Sequence, residues 1–266
     1  MDKEAEMLQG KVAVVTGSTG GIGLGVARAL AADGASVMLN GFGDVDQIEA
    51  MRAQLTQEFG VGVAYDAADL GDPQGPTRLV EAASATFGRV DVLVNNAGIQ
   101  HVAALEDFPV ERWNAVIAIN LTAVFLGMRA AIPGMRERGW GRIINIASAH
   151  GLVASTNKVA YVAAKHGVIG ATKVAALELA NSGVTVNAIC PGWVLTPLVE
   201  SQIAERAAAR QTSVAAESEA LLAEKQPMLS FTTPDSIGAM AHYLCSDAAA
   251  TVTGAALSID GGWTAQ

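Results

Sequence analysis

Short runs of β-branched and other apolar residues alternate with longer Ala-rich segments of helical periodicity along almost the whole chain. "KVAVVT" (11–16), "SVMLN" (36–40) and "VDVLVNNAG" (90–98) are nearly continuous hydrophobic runs, which is typical of strands covered by helices on both faces of a sheet. The intervening segments, such as 22–33 and 157–181, are long enough to be the covering helices. This alternation predicts an α/β fold with a doubly wound parallel sheet and right-handed crossovers.

Further runs of the same two kinds continue the alternation to the end of the chain. The additional strands are predicted at 62–67, 141–148, 184–190 and 256–260, and the additional helices at 44–59, 73–87, 109–138 and 234–246. No shift of composition and no Pro- or Gly-rich linker divides the 266 residues. We therefore expect a single domain over residues 1–266, with about seven strands and helices on both faces of the sheet.

One segment interrupts the alternation. Between Pro191 and Pro234 the chain has two helical patterns, "LVESQIAERAAARQ" and "AAESEALLAEK", before the next sheet-covering helix. The segment follows the C-terminal end of a predicted strand, and open α/β sheets bind their ligands at that end. We expect an insertion over about residues 193–233 to form a helical lid over a substrate.

The composition excludes several classes of protein. The chain carries 26 carboxylates against 17 Lys and Arg, a net charge of −9, which disfavours binding to nucleic acid or to an anionic membrane. It has no uninterrupted apolar run of about 18 residues, and its first nine residues lack the pattern of a secretory signal. Cys190 and Cys245 lie in apolar segments, and they form no metal-ligand spacing with the four His. We expect a cytoplasmic protein with reduced thiols and no metal.

A glycine-rich turn, "TGSTGGIG" (16–23), leaves the first predicted strand and opens the first predicted helix. Gly17, Gly21 and Gly23 allow a tight turn whose backbone N–H groups can approach a pyrophosphate at the helix N-terminus. Thr19 and Ile22 belong to the same turn. A plain Gly-rich turn is the alternative, but the position between a strand and a helix favours a dinucleotide-binding loop.

The end of the second strand bears on the choice of cofactor. A dinucleotide fold often places an acidic residue there to bond the ribose 2′-hydroxyl of NAD. This chain has Asn40, followed by "GFGD" with Phe42, so the acid is missing or displaced to Asp44. No Arg or Lys occurs at 16–27 or 36–51 to bind a 2′-phosphate. Because Asn40 can still bond a hydroxyl, we favour NAD over NADP.

The stretch "KVAYVAAK" (158–165) places Lys158, Tyr161 and Lys165 on one face of a helix. Taken alone, this face could be a solvated stripe. Together with "TGSTGGIG", "NNAG" (95–98), Ser148 and "PGWVLT" (191–196), however, the Y-x-x-x-K spacing resembles the short-chain dehydrogenase/reductase family along nearly the whole chain. That resemblance implies a single Rossmann-like domain, commonly a homotetramer, which transfers hydride between a nicotinamide and an alcohol or carbonyl.

The resemblance also implies roles for individual residues. Tyr161 would be the acid/base, Lys165 its cationic neighbour and Ser148 the partner of the carbonyl, while Asn120 would hold a proton-relay water. The cofactor would contact Asp69 and Leu70 at the adenine, Asn96, Ala97 and Gly98 at the ribose, and Thr196 with Pro191 and Val194 at the nicotinamide.

Elementary electrostatics supports the pairing of Tyr161 with Lys165. A free tyrosine has a pKa of about 10 and is a poor base at neutral pH. An ammonium about 4 Å from the phenol would favour the phenolate and lower its pKa toward neutrality, where general acid–base catalysis is efficient.

Two rival functional classes remain. A serine hydrolase could use Ser148 and His150, but no G-x-S-x-G elbow surrounds them. A cofactor-binding regulator without catalysis would be expected to lack Tyr161 or Lys165.

Residues near the proposed catalytic set suggest the substrate. Gln100, His150, Lys158 and Gln202 can all donate hydrogen bonds over the same crevice, which suits a small carboxylate. Trp193 and Trp263 could close its apolar end. The alternatives are solvated loop groups for His150 and Lys158, plain helix surface for Gln202, and core or subunit contact for Trp263.

"SAHGLVAS" (148–155) and "EKQPMLSFTTP" (224–234) extend the resemblance to family members that act on small 3-hydroxy acids. It implies interconversion of (R)-3-hydroxybutyrate and acetoacetate with NAD. The alternative is another member of the family, such as a 3-oxoacyl thioester reductase that uses NADPH.

Overall fold

Seven parallel strands form one sheet in the order β3-β2-β1-β4-β5-β6-β7. The computed structural model describes residues 7–266, apart from the side chain of Leu198, so the first six residues of the segment considered for a secretory signal lie outside the described residues. The strands are β1 (Val12–Val15), β2 (Ser36–Asn40), β3 (Val63–Asp66), β4 (Val92–Asn95), β5 (Gly141–Ile146), β6 (Val184–Pro191) and β7 (Ala256–Ile259). The strand number and the doubly wound order confirm the predicted fold class.

Helices cover both faces of this sheet. They are α1 (Gly21–Ala32), α2 (Val45–Phe59), α3 (Gly75–Phe87), α4 (Val110–Ile117), α5 (Ala123–Glu137), α6 (Val159–Leu179), α7 (Pro197–Arg210), α8 (Val214–Ala223) and α9 (Pro234–Cys245). An apolar core results on each face of the sheet. In β1, Val14 packs into the core beneath α3, α5 and α6, while Ala13 and Val15 pack into the core beneath α1 and α9. Because successive strand side chains point to opposite faces, a strand buried on both sides must be apolar throughout.

The predicted helix 109–138 is interrupted by a widened turn. The chain is helical from Val110 to Glu137, but Ala118–Thr122 forms a π-helical turn between α4 and α5. By length and composition alone this helix could cross a membrane. One side of α5, however, packs against α3, β4 and β5 in the core of the domain.

The lid predicted at about 193–233 forms the helices α7 and α8, which pack against each other between β6 and α9. Buried Glu217 on α8 joins them: its carboxylate accepts from Thr212 Oγ1 at 2.9 Å and pairs with Arg210 Nη1 at 3.2 Å. At the base of the lid, Val194 and Thr232 form a parallel bridge. The chain therefore leaves and rejoins the sheet region at one point.

Candidate active site

A cleft of about 810 Å³ opens above the C-terminal ends of β4, β5 and β6. This edge of a doubly wound sheet, next to the reversal of strand order between β1 and β4, is where such folds bind ligands. The predicted residues that line the cleft are Ile22, Asn96, Gly98, Gln100, Ser148, His150, Lys158, Tyr161, Lys165, Pro191, Trp193, Val194, Thr196, Gln202 and Trp263. The structure therefore brings together all the predicted substrate contacts and three of the four predicted catalytic residues.

The catalytic candidates come from two neighbouring elements. Ser148 follows β5, and Tyr161 and Lys165 lie one turn apart on α6. The Lys165 Nζ donates a hydrogen bond to the carbonyl oxygen of Ile146 at 2.7 Å and lies 5.6 Å from the centre of the Tyr161 ring. Ser148 lines the cleft together with Tyr161, and its hydroxyl lowers the pKa of the phenol. Lys165 is thus held beside the tyrosine by the last residue of β5.

The protonation of this pair differs from the expectation. Burial raises the pKa of the Tyr161 phenol, and its hydrogen bond with Ser148 opposes that effect. Burial also lowers the pKa of Lys165 to about 8. We expected the Lys165 charge to lower the phenol pKa toward neutrality. In this structure desolvation is the larger effect on both groups, since each charged form loses water on entering the cleft.

Asn120 lies behind the catalytic residues, in the π-helical turn, and is fully buried. Its side-chain oxygen accepts from the backbone N–H of Ile99 at 2.8 Å, and its amide donates to the Ile99 carbonyl at 2.9 Å. The side chain therefore clamps the loop that follows β4. A π-helical turn also displaces the regular backbone hydrogen bonds, and the relay water assigned to Asn120 stays a prediction.

The substrate end of the cleft is polar on one side and aromatic on the other. His150 is buried, and its Nε2 is 2.9 Å from Ser155 Oγ. Burial, followed by the charge of Lys158, lowers the pKa of His150 to about 4, so its ring is neutral at pH 7. The Lys158 Nζ lies 5.8 Å from the centre of the Trp193 ring. This burial excludes the alternative in which His150 is a solvated loop group.

Trp263 closes the same end of the cleft. It stacks on Trp193 with ring centres 6.3 Å apart and meets His150 edge-on at 5.0 Å. The sequence analysis missed Lys225, which follows α8 and whose charge lowers the pKa of both His150 and Lys158. No pattern in the sequence indicates that the end of the lid returns to the cleft.

The glycine-rich turn fits a dinucleotide. Gly17 has φ +60°, and a side-chain carbon added there would lie 2.9 Å from the Cα of Ala97. At Gly23 an added carbon would lie 2.3 Å from the carbonyl oxygen of Gly17. No side chain caps the first turn of α1, and that turn contains no acidic residue. Its backbone N–H groups can therefore receive a diphosphate, as the sequence predicts.

At the adenine end, Asn40 is bonded to neighbouring strands. Its side chain is almost fully buried, and its amide donates to the carbonyls of Asp66 and Ala68 at 3.1 and 3.0 Å. Its oxygen accepts from the Gly17 N–H at 3.4 Å. Asn40 therefore ties the ends of β1, β2 and β3 together, and both hydrogens of its amide are used. Its direct contact with a ribose hydroxyl stays a prediction.

The other predicted contacts at this end surround Asn40. Thr19 Oγ1 donates to the Phe42 carbonyl at 3.0 Å, and the Phe42 ring is largely exposed. Asp69 accepts from the Gly71 N–H, and Leu70 is buried behind it. Ala97 packs against Gly17, and Gly21 lies next to Thr196 at the start of the lid. Apart from Thr196, these residues lie outside the cleft described above, and their contacts with a cofactor stay predictions.

Comparison with known proteins identifies the family. The family described as short chain dehydrogenase matches residues 11–207. A protein from Cupriavidus necator named D-beta-hydroxybutyrate dehydrogenase is 57% identical over 98% of this chain and all of its own. A protein of the same name from Rhizobium meliloti is 51% identical over 96% of this chain and 99% of its own.

A solved structure agrees with this grouping. L-sorbose reductase from Gluconobacter frateurii, complexed with NADPH and L-sorbose, superposes with a TM-score of 0.93 at 31% identity, over 97% of this chain and 98% of that chain. The family match over residues 11–207 includes Ser148 after β5 and both Tyr161 and Lys165 on α6. The chain therefore belongs to the short-chain dehydrogenase family of oxidoreductases.

Proposed function

We propose that the protein is an NAD-dependent dehydrogenase that interconverts (R)-3-hydroxybutyrate and acetoacetate. The observation that carries the proposal is the substrate end of the cleft, where Lys158 and neutral His150 lie beside Tyr161 and face an indole wall. A cation with neighbouring hydrogen-bond donors suits a carboxylate, and the stacked Trp193 and Trp263 limit the length of the acid. The names of the two bacterial relatives support this substrate.

The chain's own groups can perform the proton transfer. In alcohol oxidation the Tyr161 phenolate accepts the hydroxyl proton, and in ketone reduction the phenol returns it. Ser148, which lines the cleft beside Tyr161, orients the reacting oxygen. Lys165 stabilises the phenolate by its charge from its position one turn along α6. Bound NAD would supply a nicotinamide able to accept hydride from C3.

The donors at the far end of the cleft determine which atom reacts. Lys158 would pair with the carboxylate, and His150, Gln100 and Gln202 would donate hydrogen bonds to it. Fixing the carboxylate fixes the C3 hydroxyl two carbons away, so the hydroxyl meets Tyr161 in one orientation. Neutral His150 can donate through one ring nitrogen while the other is bonded to Ser155.

We propose NAD rather than NADP because Arg28 and Arg52, the first cations that follow residues 16–27 and 36–51 in the sequence, are already paired. Arg28 bonds Glu58, and Arg52 bonds Glu49 at 2.6 Å and the Val63 carbonyl at 3.0 Å. A 2′-phosphate would therefore compete with existing ion pairs. We further propose a cytoplasmic location, since Cys190 and Cys245 are both buried free thiols, and a homotetrameric assembly.

A substrate and cofactor panel tests this proposal. Nicotinamide reduction is followed with NAD and with NADP against (R)- and (S)-3-hydroxybutyrate, a longer 3-hydroxy acid and a neutral secondary alcohol. We expect the highest kcat/KM with NAD and (R)-3-hydroxybutyrate. Higher efficiency with NADP and a 3-hydroxyacyl thioester would replace the proposal by the thioester reductase alternative.

A further inference from the structure

Gln226, directly after the lid helix α8, is almost fully buried, with 1% of its surface exposed. Most glutamines that follow a surface helix are solvated, and a buried amide needs partners for its donors and acceptor. This side chain finds all of its partners on the backbone, and they belong to segments that build the substrate end of the cleft.

The amide group joins two segments of the chain. Its Nε2 donates to the carbonyl oxygens of Ser230 at 2.6 Å and Met228 at 3.1 Å, which fixes the segment that leaves the lid. Its Oε1 accepts from the backbone N–H of Trp193 at 3.3 Å, in the segment that enters the lid. Both donor hydrogens and the acceptor are therefore used.

A third segment, near the C-terminus, packs against the same side chain. A carbon added at Gly261, where φ is +58°, would lie 2.5 Å from Gln226 Nε2. One added at Gly192 would lie 2.8 Å from its Oε1. The Gly261 carbonyl accepts from the Met228 N–H at 3.0 Å. The entry to the lid, its exit and the turn before Trp263 thus meet around one glutamine.

The indole wall of the cleft depends on this junction. Trp193 and Trp263 are stacked, and Gln226 holds the backbone of the first and packs against the turn that precedes the second. The Trp193 ring also lies beside the Lys158 ammonium. We propose that Gln226 is a positioning residue for the substrate: it fixes the two indoles and, through Trp193, the side chain of Lys158.

Replacement of Gln226 by methionine tests this assignment. The measurement of KM rests on the proposed function, because it uses the proposed substrate. Gln226→Met keeps the length and approximate volume of the side chain but removes all three hydrogen bonds. We expect KM for (R)-3-hydroxybutyrate to rise about tenfold, as loss of one or two net hydrogen bonds would give. The dissociation constant of NAD should rise by a smaller factor than KM, because the junction adjoins the predicted nicotinamide contacts Pro191 and Val194 but not the glycine-rich turn that would hold the diphosphate.

A second readout needs no turnover. Acrylamide quenching of tryptophan fluorescence reports how open the indole wall is, and we expect a larger quenching constant in Gln226→Met. The quenching contributed by Trp113 and Trp140, which lie outside the wall, should stay the same. The quenching measurement tests the role of Gln226 even if the wild-type enzyme does not oxidise 3-hydroxybutyrate.

Asn187→Leu is the matched control. Asn187 is also an almost fully buried amide with backbone partners, donating to the Val252 carbonyl at 2.7 Å and accepting from the Ala255 N–H at 3.1 Å, but it does not line the cleft. The Asn187→Leu variant should lose about as much thermal stability as Gln226→Met, while its KM and its quenching constant stay at the wild-type values. If Gln226→Met loses stability but keeps wild-type KM and quenching, Gln226 supports the fold alone and the proposal is overturned.

Discussion

Two opposing effects act on the pKa of the Tyr161 phenol. Burial favours the neutral phenol, while the hydrogen bond from Ser148 favours the phenolate. Lys165 is buried as well, and a pKa of about 8 means that it carries its proton at pH 7 and loses it as the pH rises above 8. The pair is therefore arranged for a protonated phenol near neutrality, which suits donation of a proton to a ketone. Oxidation of the alcohol needs the phenolate and should accelerate as the pH rises.

Tyr161→Phe removes only the proton-transfer group. We expect kcat to fall at least about a thousandfold, in the range of general acid–base contributions, while the dissociation constant of NAD measured by fluorescence titration stays nearly the same. Tyr243→Phe is a matched control, because that phenol lies on α9, is about half exposed and does not line the cleft. Substantial turnover in Tyr161→Phe would assign the acid/base role to another group.

Lys158→Ala tests the recognition of the carboxylate. The charge of this partly buried lysine is already opposed by burial and by Lys225, both of which lower its pKa, so a bound anion would relieve an unfavourable environment. We expect kcat/KM for (R)-3-hydroxybutyrate to fall roughly 10- to 100-fold, less than for a fully buried ion pair. A neutral alcohol of similar size should be a poor substrate for both forms and should change little.

Lys173→Ala, on α6 but outside the cleft, is the control for Lys158→Ala and should be nearly silent. Equal losses with the charged and the neutral substrate would show that Lys158 supports α6 or the catalytic residues. The assignment to a hydroxy acid would then depend on similarity to the relatives alone.

At the scale of whole elements, regular patterns were predictable and local departures from them were not. The strands were found from continuous apolar runs, and the structure shortens five of the seven by one to five residues each, such as 90–98 to Val92–Asn95. The π-helical turn at Ala118–Thr122 was missed because one widened turn leaves the helical periodicity nearly intact. It positions Asn120, so the missed feature is one that builds the site.

The candidate site was predictable where a motif carries its chemistry. The glycine-rich turn and the Tyr161–Lys165 spacing are such motifs. The buried bonds of Asn40 and Gln226 were not predicted because a buried amide has no characteristic spacing: its partners can lie far away in sequence, such as Asp66 for Asn40. Burial of this kind follows from the packing of several elements, which no local pattern contains.

The glycine-rich turn between β1 and α1 can be tested for its contribution to cofactor binding. Gly23→Ala would place a carbon 2.3 Å from the Gly17 carbonyl, inside the turn. We expect NAD affinity to fall at least about tenfold because the backbone N–H groups lose their arrangement. Gly25→Ala, two residues along α1, is the control: its added carbon would lie 2.7 Å from Pro234 of α9 instead.

Both glycine variants should lower the melting temperature, since each overpacks a contact at a cost of roughly 1–3 kcal/mol. Only Gly23→Ala should weaken NAD binding, measured by titration on the fully folded protein well below its melting temperature. Equal weakening in the two variants would mean that the whole of α1, rather than the turn, determines cofactor affinity.

The whole molecule has an apolar surface that a monomer would expose to water. Phe125 on α5 and Val174 and Leu177 on α6 are all more than half exposed, and Leu177 is 80% exposed. The two helices are neighbours in the fold. Apolar side chains on adjacent helices commonly mark a surface for assembly, and this agrees with the proposed homotetramer. We expect the wild-type mass in light scattering to be a multiple of 27.2 kDa.

Leu177→Asp should shift that mass toward smaller species, because two copies of a C2 interface would each bury the introduced charge. The shift is measured by light scattering after size-exclusion chromatography, at several protein concentrations. Val45→Asp is the control, since Val45 is 77% exposed on α2 and lies away from α5 and α6. Assembly of Leu177→Asp indistinguishable from the wild type would exclude this α6 surface from the subunit interface. Loss of assembly in Val45→Asp as well would instead assign the effect to added negative charge on a chain that already carries a net charge of −9.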